Sequence, residues 1–326
     1  MNFWTNIDTP LDFFVVFLAI FVVFINGWTD APNSIYSVVA SKRLKLWQGA
    51  LLGGIFNFLG VFLGAFVTFS VSKSIFSLAS PSGGYEAGII CLSSFLTVIV
   101  FGTVSWLFGM PSSESHALIF SLFGASLSVL GVSTGALISA IKIIFYMVFS
   151  CILAYFLTRF ITLLLRKKRL PYGRLLTISC ALSSLMHGAQ DGQKFIAVLS
   201  FLLIGKGTSH APIFLVLLVS VVMLTSTLLG GGKIIKSLSE ISPDAKPSST
   251  FFCDIGSFLA MLICSILGMP ISTGNVKAVS IFASAKAEGE ATNKRMISKI
   301  IVTSLITLPA SFILGVIFSR LALLVF

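Results

Sequence analysis

Ten apolar stretches follow one another along this chain and leave it one kind of solvent. They run from Leu11 to Ala40, Trp47 to Ser70, Ala87 to Phe108, His116 to Leu130, Gly135 to Leu165, Leu175 to Ile204, Ala211 to Gly230, Phe251 to Leu267, Val276 to Ala285 and Met296 to Phe326. A helix needs roughly 20 apolar residues to cross about 30 Å of hydrocarbon. It also pairs its own backbone in lipid, and most of these runs are much longer than the strands of a membrane barrel. The expected fold class is an all-α polytopic membrane protein, with no length left over for a soluble domain.

Charge bears this out by its scarcity and its placement. Only 10% of the residues are charged and 56% are hydrophobic, against about 25% charged in soluble domains. The net charge of +11 does not call for nucleic acid, because the basic residues gather in particular loops. Lys42, Arg43 and Lys45 follow the first run; Arg166, Lys167, Lys168, Arg169 and Arg174 fill the middle. Lys233, Lys236 and Lys246 follow the seventh run, and Lys286, Lys294, Arg295 and Lys299 precede or open the tenth. With ten spans these four loops share one face, which the positive-inside rule makes cytoplasmic. The N-terminal segment holds Asp8 and Asp12 and no Lys or Arg, so both termini are expected outside the cell membrane. The first run lacks a basic n-region and a cleavage site and is expected to be retained.

Two chemistries lack their motifs. Cys91, Cys151, Cys180, Cys253 and Cys264 stand singly in or beside apolar segments, without ligand spacing, and read as small buried hydrophobes. Gly231, Gly232 and Lys233 run on into Ile234, which breaks the pattern of an ATP-binding loop. No cofactor is expected, and no enzyme: the chain's three histidines form no His-Glu-x-x-His set.

The basic stretch 166–174 divides the chain into an N-terminal repeat, 1–165, and a C-terminal repeat, 175–326, with five apolar segments each. An odd number inverts the second half, so both would form one membrane domain built as an inverted repeat. Each half opens with a run interrupted by polar residues, Asn26 to Asn33 and His187 to Lys194, and later carries Gly-Met-Pro-x-Ser, at Gly109 to His116 and Gly268 to Asn275. Paired interruptions of this kind point to discontinuous helices around a transport site near the bilayer midplane. A channel would not need paired broken helices enclosing a site.

The interruptions supply chemistry. Asp30 and Asn33, three apart near Pro32, offer hard oxygen ligands for a cation such as sodium, although Asp30 also suits a helix N-cap. Asp191 has Lys194 three residues on. The two read as an ion pair that lowers the cost of burying both, or Lys194 binds an anion or stands in the place of a cation. The hydroxyls of the Gly-Met-Pro motifs can cap helices and equally join free backbone N–H groups in holding an oxyanion. Glu114 sits badly beside an anion unless it binds a cation or carries a proton, so it is a candidate for coupling. His116 could titrate, His210 falls in a loop, and Lys277 has no evident partner in sequence.

At these residues the chain resembles the inorganic phosphate transporter (PiT) family. Asn26 to Asn33 is similar to its Gly-Ala-Asn-Asp-x-x-Asn-type signature and His187 to Lys194 to a Gly-x-Asn-Asp-x-Gln-Lys form, while the Gly-Met-Pro motifs match its Gly-x-Pro-x-Ser-Thr-Thr-His type. The resemblance implies an inverted-repeat importer of inorganic phosphate, often a homodimer, driven by sodium or protons. It puts Asp30, Asn33 and Asp191 at coupling ions, with sodium as the metal. It puts Ser113, Ser115, Ser272 and Thr273 at phosphate, and Gln190 and Lys194 are grouped with these. Thr29 and Gln190 replace the usual Asn before each acid, and Glu114, Gly274 and Asn275 stand where Thr, Thr and His are usual. Expected is a cation symporter of phosphate working by alternating access, sodium ahead of the proton, with a sulfate permease of the same fold as alternative. The first Gly-Met-Pro loop is expected to approach from inside and the second from outside.

Overall fold

The computed structural model describes residues 9–68, 70–79, 84–108, 113–204 and 213–326. All regular structure among them is helical. The first half contains α1 (Pro10–Thr29), a 3-10 turn (Ala31–Ile35), α2 (Tyr36–Ala40), α3 (Leu46–Leu63) with a π turn after it (Gly64–Thr68), α4 (Ser70–Phe76), α5 (Gly84–Phe108), α6 (Glu114–Leu130) and α7 (Thr134–Leu165). The second contains α8 (Tyr172–Ile204), α9 (Ile213–Leu229), α10 (Gly232–Ser239), α11 (Pro247–Ile266), α12 (Thr273–Glu288) and α13 (Lys294–Val325). Among the described residues each apolar run is helical, the first as α1, the 3-10 turn and α2; the short α4 and α10 are additional.

Lipid, rather than water, sets which face of a helix is buried. Along α7, Ala136, Ala140, Ser150, Ala154, Thr158 and Thr162 face inward, while Ile141, Phe145, Ile152, Phe156, Phe160 and Leu164 are exposed. The same holds for α13, where Ser304, Thr307, Ser311, Gly315 and Ser319 are buried. Lipid tails are as apolar as leucine, so close packing of small residues and hydroxyls, not hydrophobicity, holds such helices together. Four of the five cysteines are buried and all are free.

Helix neighbours are exchanged between the halves. Helix α6 packs on α13, and its counterpart α12 packs on α7; α3 packs on α8, and α9 on α1. Within each half the pairing repeats, α5 with α6 and α11 with α12. Two contacts are backbone to backbone. A Cβ on Gly60 would lie 2.0 Å from the Leu185 carbonyl oxygen on α8, and one on Gly188 would lie 2.2 Å from that of Asn57 on α3. Gly124 and Gly315 do the same for α6 and α13, each 2.3 Å from a carbonyl oxygen of the other helix.

The ten expected spans need two corrections. Helix α6 has 17 residues and α12 has 16, about 25 Å each at 1.5 Å per residue, so they are short limbs of the hairpins α5–α6 and α11–α12. The second-half interruption is also no break: α8 is continuous through His187–Lys194. The cause lies in one residue type. Pro32 removes an N–H and forces a 3-10 turn after α1, whereas the second motif has no proline and its glycines serve packing against α3. A different bend does occur in the second half, 69° between α9 and α10, where Gly231 takes φ 117°.

The four basic loops come together at one end. Arg166 donates to the Ala287 carbonyl at 2.8 Å, the Asn293 N–H to Ile241 at 2.9 Å and the Lys246 N–H to Glu290 at 3.1 Å. Val38 packs with Ile234, Ile235 and Ile241 in one buried cluster, bringing in the loop after α2. Thr9, Pro10, Tyr85 and Phe326 line a shared cavity, at the opposite end of the long helices.

Candidate functional site

Four chain segments converge in the interior: the end of α1 with its 3-10 turn, the middle of α8, and the first turns of α6 and α12. The break after α1 turns Asp30 and Asn33 inward, both buried. Asp30 makes no side-chain cap to the 3-10 turn. Instead it accepts hydrogen bonds from the Asn33 amide and, at 3.2 Å, from the Thr273 hydroxyl. The N-cap reading of Asp30 is thereby replaced by one in which the carboxylate serves the interior.

On α8 the i, i+3 spacing puts Asp191 and Lys194 on one face. The Lys194 ammonium donates to Asp191 Oδ1 at 2.5 Å, to Ser115 Oγ at 2.7 Å and to the Ile271 carbonyl at 2.6 Å. Thr273 Oγ1 is 3.3 Å from Asp191 Oδ2, so this hydroxyl joins the acids of the two halves. Gln190 points elsewhere, donating to Ser265 Oγ at 2.7 Å.

Helices α6 and α12 begin face to face. Ser113 caps α6 by accepting from the His116 N–H, and Ser272 caps α12 by accepting from the Asn275 N–H. The Ser113 hydroxyl donates to Ser272 Oγ at 2.9 Å. The two loops expected to approach from opposite faces thus end at one point; Gly109–Ser112 of the first motif lies outside the described residues, as does His210. Glu114 accepts a hydrogen bond from Thr29 through Oε1.

Of the ten residues singled out for the site, all are at most 5% exposed, and all but Gln190, which turns to Ser265, lie in these four segments with their side chains toward one another. The formal charge is carried by Asp30, Asp191 and Glu114 against the single ammonium of Lys194. Two opposed helix N-termini add about half a positive charge each. The oxygens Asn26 Oδ1, Asn33 Oδ1, Glu114 Oε2 and Gln190 Oε1 have no hydrogen-bond partner among the described residues. A buried oxygen left free at an uncompensated acid is what a hard cation takes as ligand. Ligand atoms of Asp30, His187 and Asp191 also come within 4.8 Å of one another. Of these, Asp191 already holds Lys194, which disfavours a second charge on that side.

Residues 26–172 and, separately, 166–315 match the phosphate transporter family. The chain belongs to that family. Relatives include a "probable low-affinity inorganic phosphate transporter" of Bacillus subtilis, 28% identical with 94% of this chain and 96% of that one covered. A protein of the same description from Rhizobium meliloti is 27% identical, over 94% and 95%. Among solved structures, "the sodium-dependent phosphate transporter" superposes with a TM-score of 0.85 over 98% of this chain and 100% of that one. Its identity is 16%, so the likeness concerns the fold. The duplicate family match and the exchange of helix neighbours agree on an inverted repeat.

The transporter also contains groups that the motifs did not single out. Asn26 donates to Asp191 Oδ2 at 3.4 Å, and His187 Nε2 lies 3.6 Å from the same oxygen. Both occupy the first position of their motif, and that shared register was the available signal. Lys277, without an evident partner in sequence, is paired with Asp254 on α11; Asp254 also accepts from Ser37 at 2.5 Å and Ser179 at 2.9 Å, and Lys277 donates to Ser183 at 3.1 Å. Nothing in the sequence links positions 254 and 277, which meet because α11 and α12 form a hairpin. Both ring nitrogens of His116 are buried with no hydrogen-bond partner among the described residues.

Proposed function

We propose that this transporter carries inorganic phosphate into the cell together with a cation, sodium ahead of the proton, by alternating access. The observation that carries the reading is the meeting of two hydroxyl-capped helix N-termini beside a group of buried acids. The first is a site for an oxyanion; the second is a site for cations; their adjacency lets each stabilise the other by direct attraction in a dry interior. The names of the relatives support phosphate as the anion, and that of the structural neighbour supports sodium.

In this reading Ser113, Ser115, Ser272 and Thr273 bind phosphate, with Gln190 and Lys194 at its margin, and Asp30, Asn33, Asp191 and Glu114 serve the coupling ions. Proton coupling is the second reading, favoured by the free, buried Oε2 of Glu114. The repeats would span 1–165 and 175–326 about the basic linker 166–174. The basic end would face the cytoplasm across the plasma membrane, with both termini outside.

Uptake of labelled phosphate into proteoliposomes under imposed sodium or proton gradients, with sulfate as competitor, tests this. Accumulation driven by an inward sodium gradient and indifferent to sulfate is expected. Flux that ignores both gradients would overturn coupled transport.

A further inference from the structure

The two halves present their acids in the same register and differ three residues further on. Asn26-Gly27-Trp28-Thr29-Asp30-Ala31-Pro32-Asn33 aligns with His187-Gly188-Ala189-Gln190-Asp191-Gly192-Gln193-Lys194, glycine on glycine and acid on acid. Three residues past the first acid stands a neutral amide. Three past the second stands an ammonium.

The surroundings of that ammonium are those of a bound cation. Lys194 Nζ is held by a carboxylate oxygen at 2.5 Å, a hydroxyl oxygen at 2.7 Å and a main-chain carbonyl at 2.6 Å, supplied by α8, α6 and the turn before α12. Carboxylate, hydroxyl and carbonyl oxygens are the ligands that hard cations take from proteins, and the three protons of the ammonium match the three acceptors one to one. Lys194 is about 1% exposed, so the cage is closed to water in this conformation.

The equivalent place in the first half lacks such a charge. Asp30 has neutral hydrogen-bond donors, Asn33 and Thr273, and no Lys or Arg salt bridge reaches it among the described residues. Asn33 Oδ1 and Asn26 Oδ1, in buried residues of the same segment, have no partner among the described residues. Gly274 stands opposite Asp30 and Asn33, where the matching residue of the other half is Ser115.

We infer that Lys194 is a resident cation in the second half's ion place, where it takes at Asp191 the part given above to a coupling ion, so that metal-ion coupling is confined to Asp30 and Asn33 and one sodium ion accompanies each phosphate. The inference rests on the cation-coupled reading proposed above and fixes its stoichiometry. Glu114 lies outside the paired places, at the register position of Thr273, so a proton held there does not enter the count of metal ions.

The test is the ratio of labelled sodium to labelled phosphate taken up by the reconstituted full chain, with sodium saturation curves. One sodium per phosphate and a non-sigmoidal curve are expected. A ratio of two in the unaltered protein overturns the inference without touching coupled transport. Lys194→Asn, which rebuilds the first half's arrangement, should raise the ratio to two and make the curve sigmoidal. A folded Lys194→Asn protein that transports at a ratio of one also overturns it, and if that variant does not fold, the unaltered ratio decides alone. Uptake that follows protons and ignores sodium removes the mobile metal ion and overturns this inference while leaving coupled transport standing. Flux independent of both cations instead brings down the coupled reading itself.

Discussion

Ser113 and Ser272, the N-cap residues of α6 and α12, share a hydrogen bond of 2.9 Å across the junction of the two repeats. Each hydroxyl already accepts an N–H from its own helix. The arrangement brings two positive helix ends together, a repulsion that an anion seated between them would turn into attraction. The hydroxyl pair is the point at which the two ends touch.

Replacing Ser113 or Ser272 by alanine removes a cap and, in the function proposed above, a phosphate ligand. The cap is worth about 1 kcal/mol, small enough to leave the fold intact. A hydrogen bond to a charged group is worth about 1.5–3 kcal/mol, so half-saturation by phosphate should rise about tenfold or more. Phosphate saturation of uptake at saturating sodium measures it, and an unaltered curve would remove the serines from the anion site.

Gly60 should tolerate no side chain, because its Cβ would lie 2.0 Å from the Leu185 carbonyl oxygen and 2.9 Å from the Ala189 nitrogen. Gly60→Ala must push α3 off α8, and overpacking of this kind costs about 1–3 kcal/mol. Gly84, with nothing within 4 Å of its Cβ position, is the control. Melting in detergent should fall for the first and hold for the second.

The helices were legible in the sequence because lipid demands long apolar runs whatever the tertiary fold. The candidate site stood out in the sequence because Asp30, Asp191 and Lys194 are costly in lipid, and the fold brings these three together. Two things were not legible. Whether a polar interruption breaks its helix depended on Pro32 in one half and on the packing of Gly188 and Gly192 against α3 in the other, and the second is a tertiary fact. The Asp254–Lys277 pair joins residues with no motif around them, and only the α11–α12 hairpin brings them together.

That pair yields a stability prediction. Asp254 is wholly buried and Lys277 about 2% exposed, so Asp254→Ala would strand an ammonium that keeps its hydrogen bond to the Ser183 hydroxyl. Breaking one partner of a buried pair costs about 3–5 kcal/mol, whereas replacing both by apolar residues is often neutral. Asp254→Ala should therefore express poorly or melt early, and Asp254→Leu combined with Lys277→Met should recover most of the loss. A single variant that melts like the unaltered protein would mean that water or another group reaches Lys277.

A substitution at Gly274 should separate stability from the proposed coupling. A Cβ there would meet Asn33 Nδ2 at 2.9 Å and Asp30 Oδ1 at 3.0 Å, so Gly274→Ala must displace the Asn33 amide from the Asp30 carboxylate. In the first turn of α12, alanine also favours the helix over glycine, by up to about 1 kcal/mol. The fold should hold or gain slightly while half-saturation by sodium rises about tenfold, which corresponds to about 1.4 kcal/mol, with phosphate half-saturation at saturating sodium little changed. Sodium titration of phosphate uptake beside a melting curve separates the two effects. A sodium dependence equal to that of the unaltered protein would detach Asp30 and Asn33 from the coupling ion.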